Sequence, residues 1–268
     1  EMLRSLVGSE MCIRDSSYSS STYNSHINPD NNDTYKETQK TRASVDIQSE
    51  LDAIKNADSL VWGVAEDSIV TFGAYEQDGN IFNGPEPIKW YVINNDNNVA
   101  TLYSVYCLDC RPYHNNSLNL ESVNWSNCSL RDWLNDNFYN KAFDDGEKQY
   151  LVLSAVTGEN SNDFDETTSA YVQLPNAGNV SGWFWTNENM IAEFTEYAKS
   201  KYDSLEPYRY WTREMSEKSG SGYGTVIDAD GEIMGSSYYW LIREPVEGVP
   251  LSDVYGVRPM IMVKYADD

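Results

Sequence analysis

The chain has 268 residues, a formal net charge of −23 and an isoelectric point near 4.3. That balance excludes a binder that tracks nucleic-acid phosphates, which needs clustered Lys and Arg, and anionic membrane surfaces repel it; no run reaches the roughly 20 apolar residues that span a bilayer. A hydrophobic content of 40% supports the core of one large domain or two small ones, and 8 Trp and 20 Tyr supply amphipathic rings that suit β-rich cores or binding surfaces.

In chain order, residues 1–16 come first. The run Met11-Cys12-Ile13-Arg14-Asp15-Ser16 can be encoded by ATG TGT ATA AGA GAC AGx, and residues 6–16 resemble adapter sequence carried from shotgun DNA libraries into assembled metagenomes. Residues 1–16 are therefore left out of the fold reading, and any signal peptide or lipid anchor is expected upstream. Residues 17–42 are rich in Ser, Thr, Asn, Asp and Tyr, with almost no aliphatic side chains, and read as disordered linker. Residues 43–60 read as a short helix or linker, with Ile47, Leu51 and Ile54 on one face.

From residue 61 to 268 the pattern is that of one globular domain. Residues 69–72 form a β-like run, Asp78-Gly79 marks a turn, and Pro85 and Pro87 punctuate the loop that follows. Residues 88–93 and 99–106 flank the polar cluster 94–98 and read as a hairpin with a five-residue turn. Ser126 or Asn127 can cap a helix carrying Leu130, Trp133, Leu134 and Phe138. A short helix or turn near 144–149 leads to the β-like run 151–153, and an acidic loop covers 158–169. A helix is predicted over 188–199 with Ile191, Phe194 and Tyr197 inward. Residues 225–227 and 232–234 flank Asp228-Ala229-Asp230-Gly231 as a hairpin, and 238–242 and 260–263 are further strands. Helices set among antiparallel hairpins give an α+β class rather than alternating β-α units.

Cys107, Cys110, Cys128 and His114 are the sharpest chemical group. Three thiolates and an imidazole can hold zinc; a disulfide and small buried thiols are the other readings. Asp228, Asp230 and Glu232, or the loop acids Asp163, Asp165 and Glu166, offer hard oxygens for calcium, although Asp-Gly between β runs is first of all a hairpin turn. No Gly-x-Ser-x-Gly elbow occurs, and His114 is the one histidine of the ordered region. The runs Trp183-Phe184-Trp185 and Tyr238-Tyr239-Trp240 each expose a ring if one sheet face is covered, and fill a core if both are. Arg213 and Arg258 read first as anchors for core or loop carbonyls.

The blocks fall in a recognisable order: Val70-Thr71-Phe72-Gly73-Ala74-Tyr75, Glu86-Pro87-Ile88-Lys89-Trp90, Leu108-Asp109-Cys110-Arg111-Pro112-Tyr113, Ser129-Leu130-Arg131-Asp132-Trp133-Leu134-Asn135, Tyr210-Trp211-Thr212-Arg213 and Gly256-Val257-Arg258-Pro259. This order resembles the bacterial family of the domain of unknown function 6273 over roughly residues 63–265. The resemblance implies a surface or secreted protein of Gram-positive bacteria and a fold similar to the C-type-lectin-like fold of formylglycine-generating enzymes. It implies no activity. The copper-binding cysteines of those enzymes sit near the domain end, whereas the last cysteine here is Cys128. Where the family tends to read Trp-Trp-Leu-Arg-Ser-Pro, this chain has Tyr210-Trp211-Thr212-Arg213-Glu214-Met215, then a Ser/Gly-rich stretch to Gly224.

The resulting expectation is an α+β, C-type-lectin-like domain with antiparallel hairpins and two or three short helices, extracellular and monomeric. Its function would be non-catalytic recognition of a glycan or surface protein through Trp183, Trp185, Tyr210, Trp211, Arg213 and Tyr223. No cofactor is expected, calcium being the minor alternative; nor is nucleic acid, nor membrane contact except through an upstream anchor. A divergent enzyme on the same scaffold and a structural spacer are the rivals.

Overall fold

The computed structural model describes residues 46–115, 120–157, 167–202, 208–216, 222–235 and 247–266. Residues 1–45, the acids Asp163, Asp165 and Glu166, and the run Tyr238-Tyr239-Trp240 lie outside them. All described residues belong to one unit, Gln39–Asp268. It is mixed α+β with mainly antiparallel sheets.

Helix α1 (Ile47–Asn56) forms where the apolar spacing places it. Asp46 caps it by accepting from the Gln48 amide at 3.2 Å, and Leu51 and Ile54 enter the same core as the sheets. Strands β1 (Ile69–Tyr75), β2 (Glu86–Asp96), β3 (Val99–Ser104), β13 (Met260–Lys264) and β7 (Val172–Gln173) make the first sheet in that order. Alternation along β2 sends Ile88, Trp90 and Val92 inward, and the Trp90 indole donates to the Phe72 carbonyl at 2.7 Å. The β2–β3 turn is tighter than predicted: pairing runs to Asp96↔Val99, leaving Asn97-Asn98 at φ +51 and +64. Asn tolerates this left-handed pair, so the two-residue turn displaces the longer loop. In β1, Gly73 takes φ +73 at a register shift between Thr71 and Ala74, where a Cβ would lie 2.6 Å from the Phe143 ring.

The second sheet runs β10 (Ile233–Met234), β9 (Tyr223–Ile227), β8 (Tyr210–Met215), β12 (Val254–Val257) and β4 (Asp109–Pro112), with β11 (Val249–Pro250) also on β9. Strands β5 (Ser154–Thr157) and β6 (Thr167–Ala170) pair separately. The chain changes between the two main sheets four times: after β3, between β4 and β7, after β7 and after β12. The first and last of these crossings meet at one point. The Ser104 amide donates to the Pro259 carbonyl at 2.9 Å, and Arg258 Nε donates to the Ser104 carbonyl at 2.8 Å.

The main helices are α1, a composite helix over 129–142 and α5 (Ala177–Phe184), with single-turn helices between. The composite joins α2 (Ser129–Trp133), a π-turn (Leu134–Phe138) and α3 (Tyr139–Ala142), and buries Leu130, Leu134, Phe138 and Ala142. Its cap is Cys128, whose Sγ accepts from the Arg131 amide at 3.4 Å, and not Ser126 or Asn127. Those two are committed to the preceding turn through Asn124. Asn135 accepts from the Tyr171 and Val172 amides, each at 3.0 Å, and fastens the composite to β7. Helix α4 (Asp145–Lys148) carries a capping box between Asp144 and Glu147. The helix predicted over 188–199 is broken into α6 (Asn187–Met190) and α7 (Glu196–Lys201). Thr195 caps a new start by accepting from the Ala198 amide, and the extended stretch between them pairs with Cys107. Phe194 and Tyr197 are buried as predicted, but Ile191 faces solvent.

Candidate functional site

Two exposed tryptophans meet where a tight turn touches the end of α5. In Val61-Trp62-Gly63-Val64, the Val64 amide donates to the Val61 carbonyl at 2.9 Å. Trp62 and Gly63 have φ +48 and +79. Positive φ at both central residues is the pattern that Asn-Gly normally satisfies. A bulky residue there costs about 1–2 kcal/mol relative to Gly. Gly63 is required by proximity as well, because a Cβ would lie 2.5 Å from the Asn189 side chain, and its amide donates to the Trp183 carbonyl at 3.0 Å.

Trp185 occupies a second position of the same kind. Asn176 and Asn179 form the capping box that starts α5, and the helix ends at Trp185 with φ +62 and ψ −27. Helix ends of this left-handed form favour Gly or Asn. The Trp62 and Trp185 rings lie 6.3 Å apart at 41°, and the side chains are 69% and 61% exposed. Val61 and Val64 are exposed beside them. Exposed Asn187, Glu188 and Asn189 of α6 follow in the chain, and the 228–231 turn presses on Asn187 so closely that a Cβ on Gly231 would sit 1.9 Å from its carbonyl oxygen. An apolar double ring beside carboxamides and a carboxylate results.

The remaining sequence-predicted contacts lie elsewhere. Trp183 is half-buried and packs on Tyr103, with ring centroids 5.4 Å apart. Tyr210 is buried and donates to the Met190 carbonyl at 2.6 Å, which supports α6 from within. Trp211 is buried edge-on to Tyr113 and Tyr255, and its indole donates to the Arg111 carbonyl at 2.8 Å. Arg213 is buried and donates to the Leu174 carbonyl, as a carbonyl anchor does. Tyr210, Trp211 and Arg213 are thus interior, because both faces of β8 are covered. Tyr223 is partly exposed but starts β9, at the far end from the turn beside Asn187. Trp62 was the residue missed by sequence reasoning. The available signal was Trp-Gly between two valines, where a hairpin turn would carry Asn-Gly.

The cysteines are three free, buried thiols, and with His114 they do not gather their ligand atoms among the described residues. Burial pushes the Cys107 and Cys128 thiols up to about 12 and raises Cys110 as well. The His114 ring accepts from the Ser129 amide at 3.2 Å. Asp228 Oδ1 accepts from the Asp230 and Glu232 amides at 3.0 and 2.8 Å, so its carboxylate shapes the hairpin turn.

Glu214 lies beneath the start of α5 and accepts from the Ala177 amide at 2.8 Å. Burial pushes its carboxyl up to about 7, with the Ala177 amide pulling the other way. Since the unfolded value is 4.5, the folded state keeps a proton that the unfolded chain loses between pH 4.5 and 7. Stability therefore falls as pH rises through that window. Glu214→Gln is expected to remove a pH dependence of about 2–3 kcal/mol, read as the difference between wild-type and variant urea melts at pH 4.5 and 8.

No curated protein and no solved structure matches the chain. The family model described as "Domain of unknown function (DUF6273)" matches residues 97–265, well over half of the sequence, and the chain belongs to that family.

Proposed function

We propose that the protein is a non-catalytic extracellular recognition module of C-type-lectin-like architecture that binds a glycan on the Trp62–Trp185 surface. The observation that carries this reading is the backbone beneath the rings. Both tryptophans occupy left-handed positions that glycine or asparagine would fill at lower cost, and both point to solvent. Neither side chain belongs to the buried core. Strain kept at an exposed position is a mark of ligand sites. Paired indole faces offer apolar area to the C–H faces of sugar rings, and Asn187, Glu188 and Asn189 supply donors and acceptors for hydroxyls. Family membership and the order of the sequence blocks support the lectin-like and cell-surface readings. The return of β13 to the sheet that holds β1 agrees with the former. A spacer domain would have no use for strained, exposed rings.

Separating stability from binding tests this. Trp62→Asn and Trp185→Gly each relieve left-handed strain and lose one exposed ring contact worth about 0.5–1.5 kcal/mol. Their melting temperatures should hold or rise, while affinity for a glycan selected by the wild type falls at least about tenfold, or 1.4 kcal/mol. Melting losses of about 2 kcal/mol or more in both variants would show that the rings serve the fold instead.

A further inference from the structure

At the other end of β1 from the tryptophans lies a site that the recognition reading does not use. The β1–β2 register closes at Tyr75↔Glu86, so the chain connecting the strands starts with Glu76 directly beside Glu86. Asp78 joins them, and one carboxylate oxygen from each of the three lies within 4.8 Å of the other two. Two of the acids are held in place by neutral donors. The Gln77 amide donates to Glu86 Oε2 at 2.8 Å. Asp78 accepts from the Asn80 amide and the Asn83 side chain, each at 2.7 Å. The connection itself is fastened to α7, where the Tyr197 amide donates to the Gln77 carbonyl at 3.0 Å.

Glu76 is the anomaly. Its side chain is 3% exposed, and neither carboxylate oxygen has a hydrogen-bond partner. Among the described residues no basic side chain pairs with any of the three acids. A buried carboxylate without a partner is strongly unfavourable.

We propose that Glu76, Asp78 and Glu86 bind one calcium ion. An all-oxygen, anionic donor set selects hard cations. Calcium accepts six to eight oxygens in flexible geometry, which suits carboxylates from three different positions, whereas magnesium demands a near-ideal octahedron and dehydrates reluctantly. Asp78 is exposed, Glu86 half-buried and Glu76 buried, so the ion enters from solvent past Asp78 and reaches the unpartnered carboxylate last. Water completes the coordination. Three protein carboxylates on a short connection fit the sub-millimolar to millimolar affinities of extracellular calcium modules. The ion would brace the strand connection against α7, away from the Trp62–Trp185 surface.

The test is calorimetric melting of the full chain at pH 7.5, in EDTA and with calcium chloride alone. Wild type should gain about 5 °C or more at calcium a hundredfold above the dissociation constant. Glu76→Gln should melt no lower than wild type in EDTA, because it removes an unpaired buried charge, and should gain nothing from calcium. Asp78→Asn, at an exposed position, should fold normally and need at least tenfold more calcium for the same shift. No shift of wild type at about 10 mM calcium would overturn the assignment. So would equal shifts in all three proteins, or an equal shift with magnesium at the same concentration.

Discussion

Asp109→Ala is expected to lower stability by about 3–5 kcal/mol, among the largest losses of any single substitution in this chain. Asp109 is fully buried in β4 and is the hub of a charged network. One oxygen accepts from the Tyr75 hydroxyl at 2.6 Å and from Lys201 Nζ at 2.8 Å. The other accepts from the Cys110 amide at 2.7 Å and from the same Lys201 at 3.0 Å, with Arg111 Nε at 3.5 Å. Removing the carboxylate leaves two mostly buried cations facing each other and a tyrosine hydroxyl without its acceptor. Breaking a buried pair from one side costs more than the pair contributes, because the remaining charge stays desolvated. Tyr75→Phe removes one hydrogen bond and should cost about 1–2 kcal/mol. Lys199→Ala, which breaks the exposed Lys199–Glu196 pair, should leave the melt unchanged within error. Urea denaturation of the three variants checks the ranking, and an Asp109→Ala loss below that of Tyr75→Phe would contradict it.

Arg258→Ala should cost about 3–5 kcal/mol by a different route. Arg258 is 1% exposed, and no carboxylate pairs with it among the described residues. Aromatic rings surround it instead. Its guanidinium carbon lies 4.3 Å from the Tyr103 ring centroid, 5.1 Å from Phe184 and 5.5 Å from Tyr210. The alanine variant opens a cavity among these rings and strips the Ser104 carbonyl of its donor at the point where both strands change sheets. Arg258→Met refills much of the space and removes the cost of burying a cation, so it should lose less than half as much. Phe184 immediately precedes Trp185, and Tyr210 holds the Met190 carbonyl. The alanine variant should therefore also loosen the tryptophan surface and weaken ligand binding. Equal stability of the alanine variant and wild type would refute the account of the crossing.

The residues that the sequence made legible are those whose spacing alone decides their position. Ile47, Leu51 and Ile54 repeat with a helical period, and Ile88, Trp90 and Val92 with a strand period, and both sets are buried or packed against the core. Arg258 was read as a carbonyl anchor, and it holds the Ser104 carbonyl. The expected contacts Tyr210, Trp211 and Arg213 proved to be interior. A strand covered on both faces hides Tyr210, Trp211 and Arg213 alike, and no period distinguishes that case from a half-exposed strand. The apolar spacing of Ile191, Phe194 and Tyr197 runs across Thr195, where the structure starts a new helix. Trp62 and Trp185 are 123 positions apart and meet only because the Gly63 amide reaches the Trp183 carbonyl. Glu76 and Glu86 likewise become neighbours only through the β1–β2 register. Contacts of that kind depend on topology, which local patterning does not encode.

The central claim is that the exposed Trp62–Trp185 pair is a sugar-binding surface. Its most direct measurement is a glycan array probed with the folded wild type beside Trp62→Asn and Trp185→Gly, each run with calcium and with EDTA. The account predicts selective binding by wild type and loss of that binding in both variants at undiminished melting temperature. It also predicts retention in EDTA below the melting range, because the acidic site lies at the other end of β1 from the rings. Binding that survives both substitutions, or a folded wild type that selects no glycan, would contradict it.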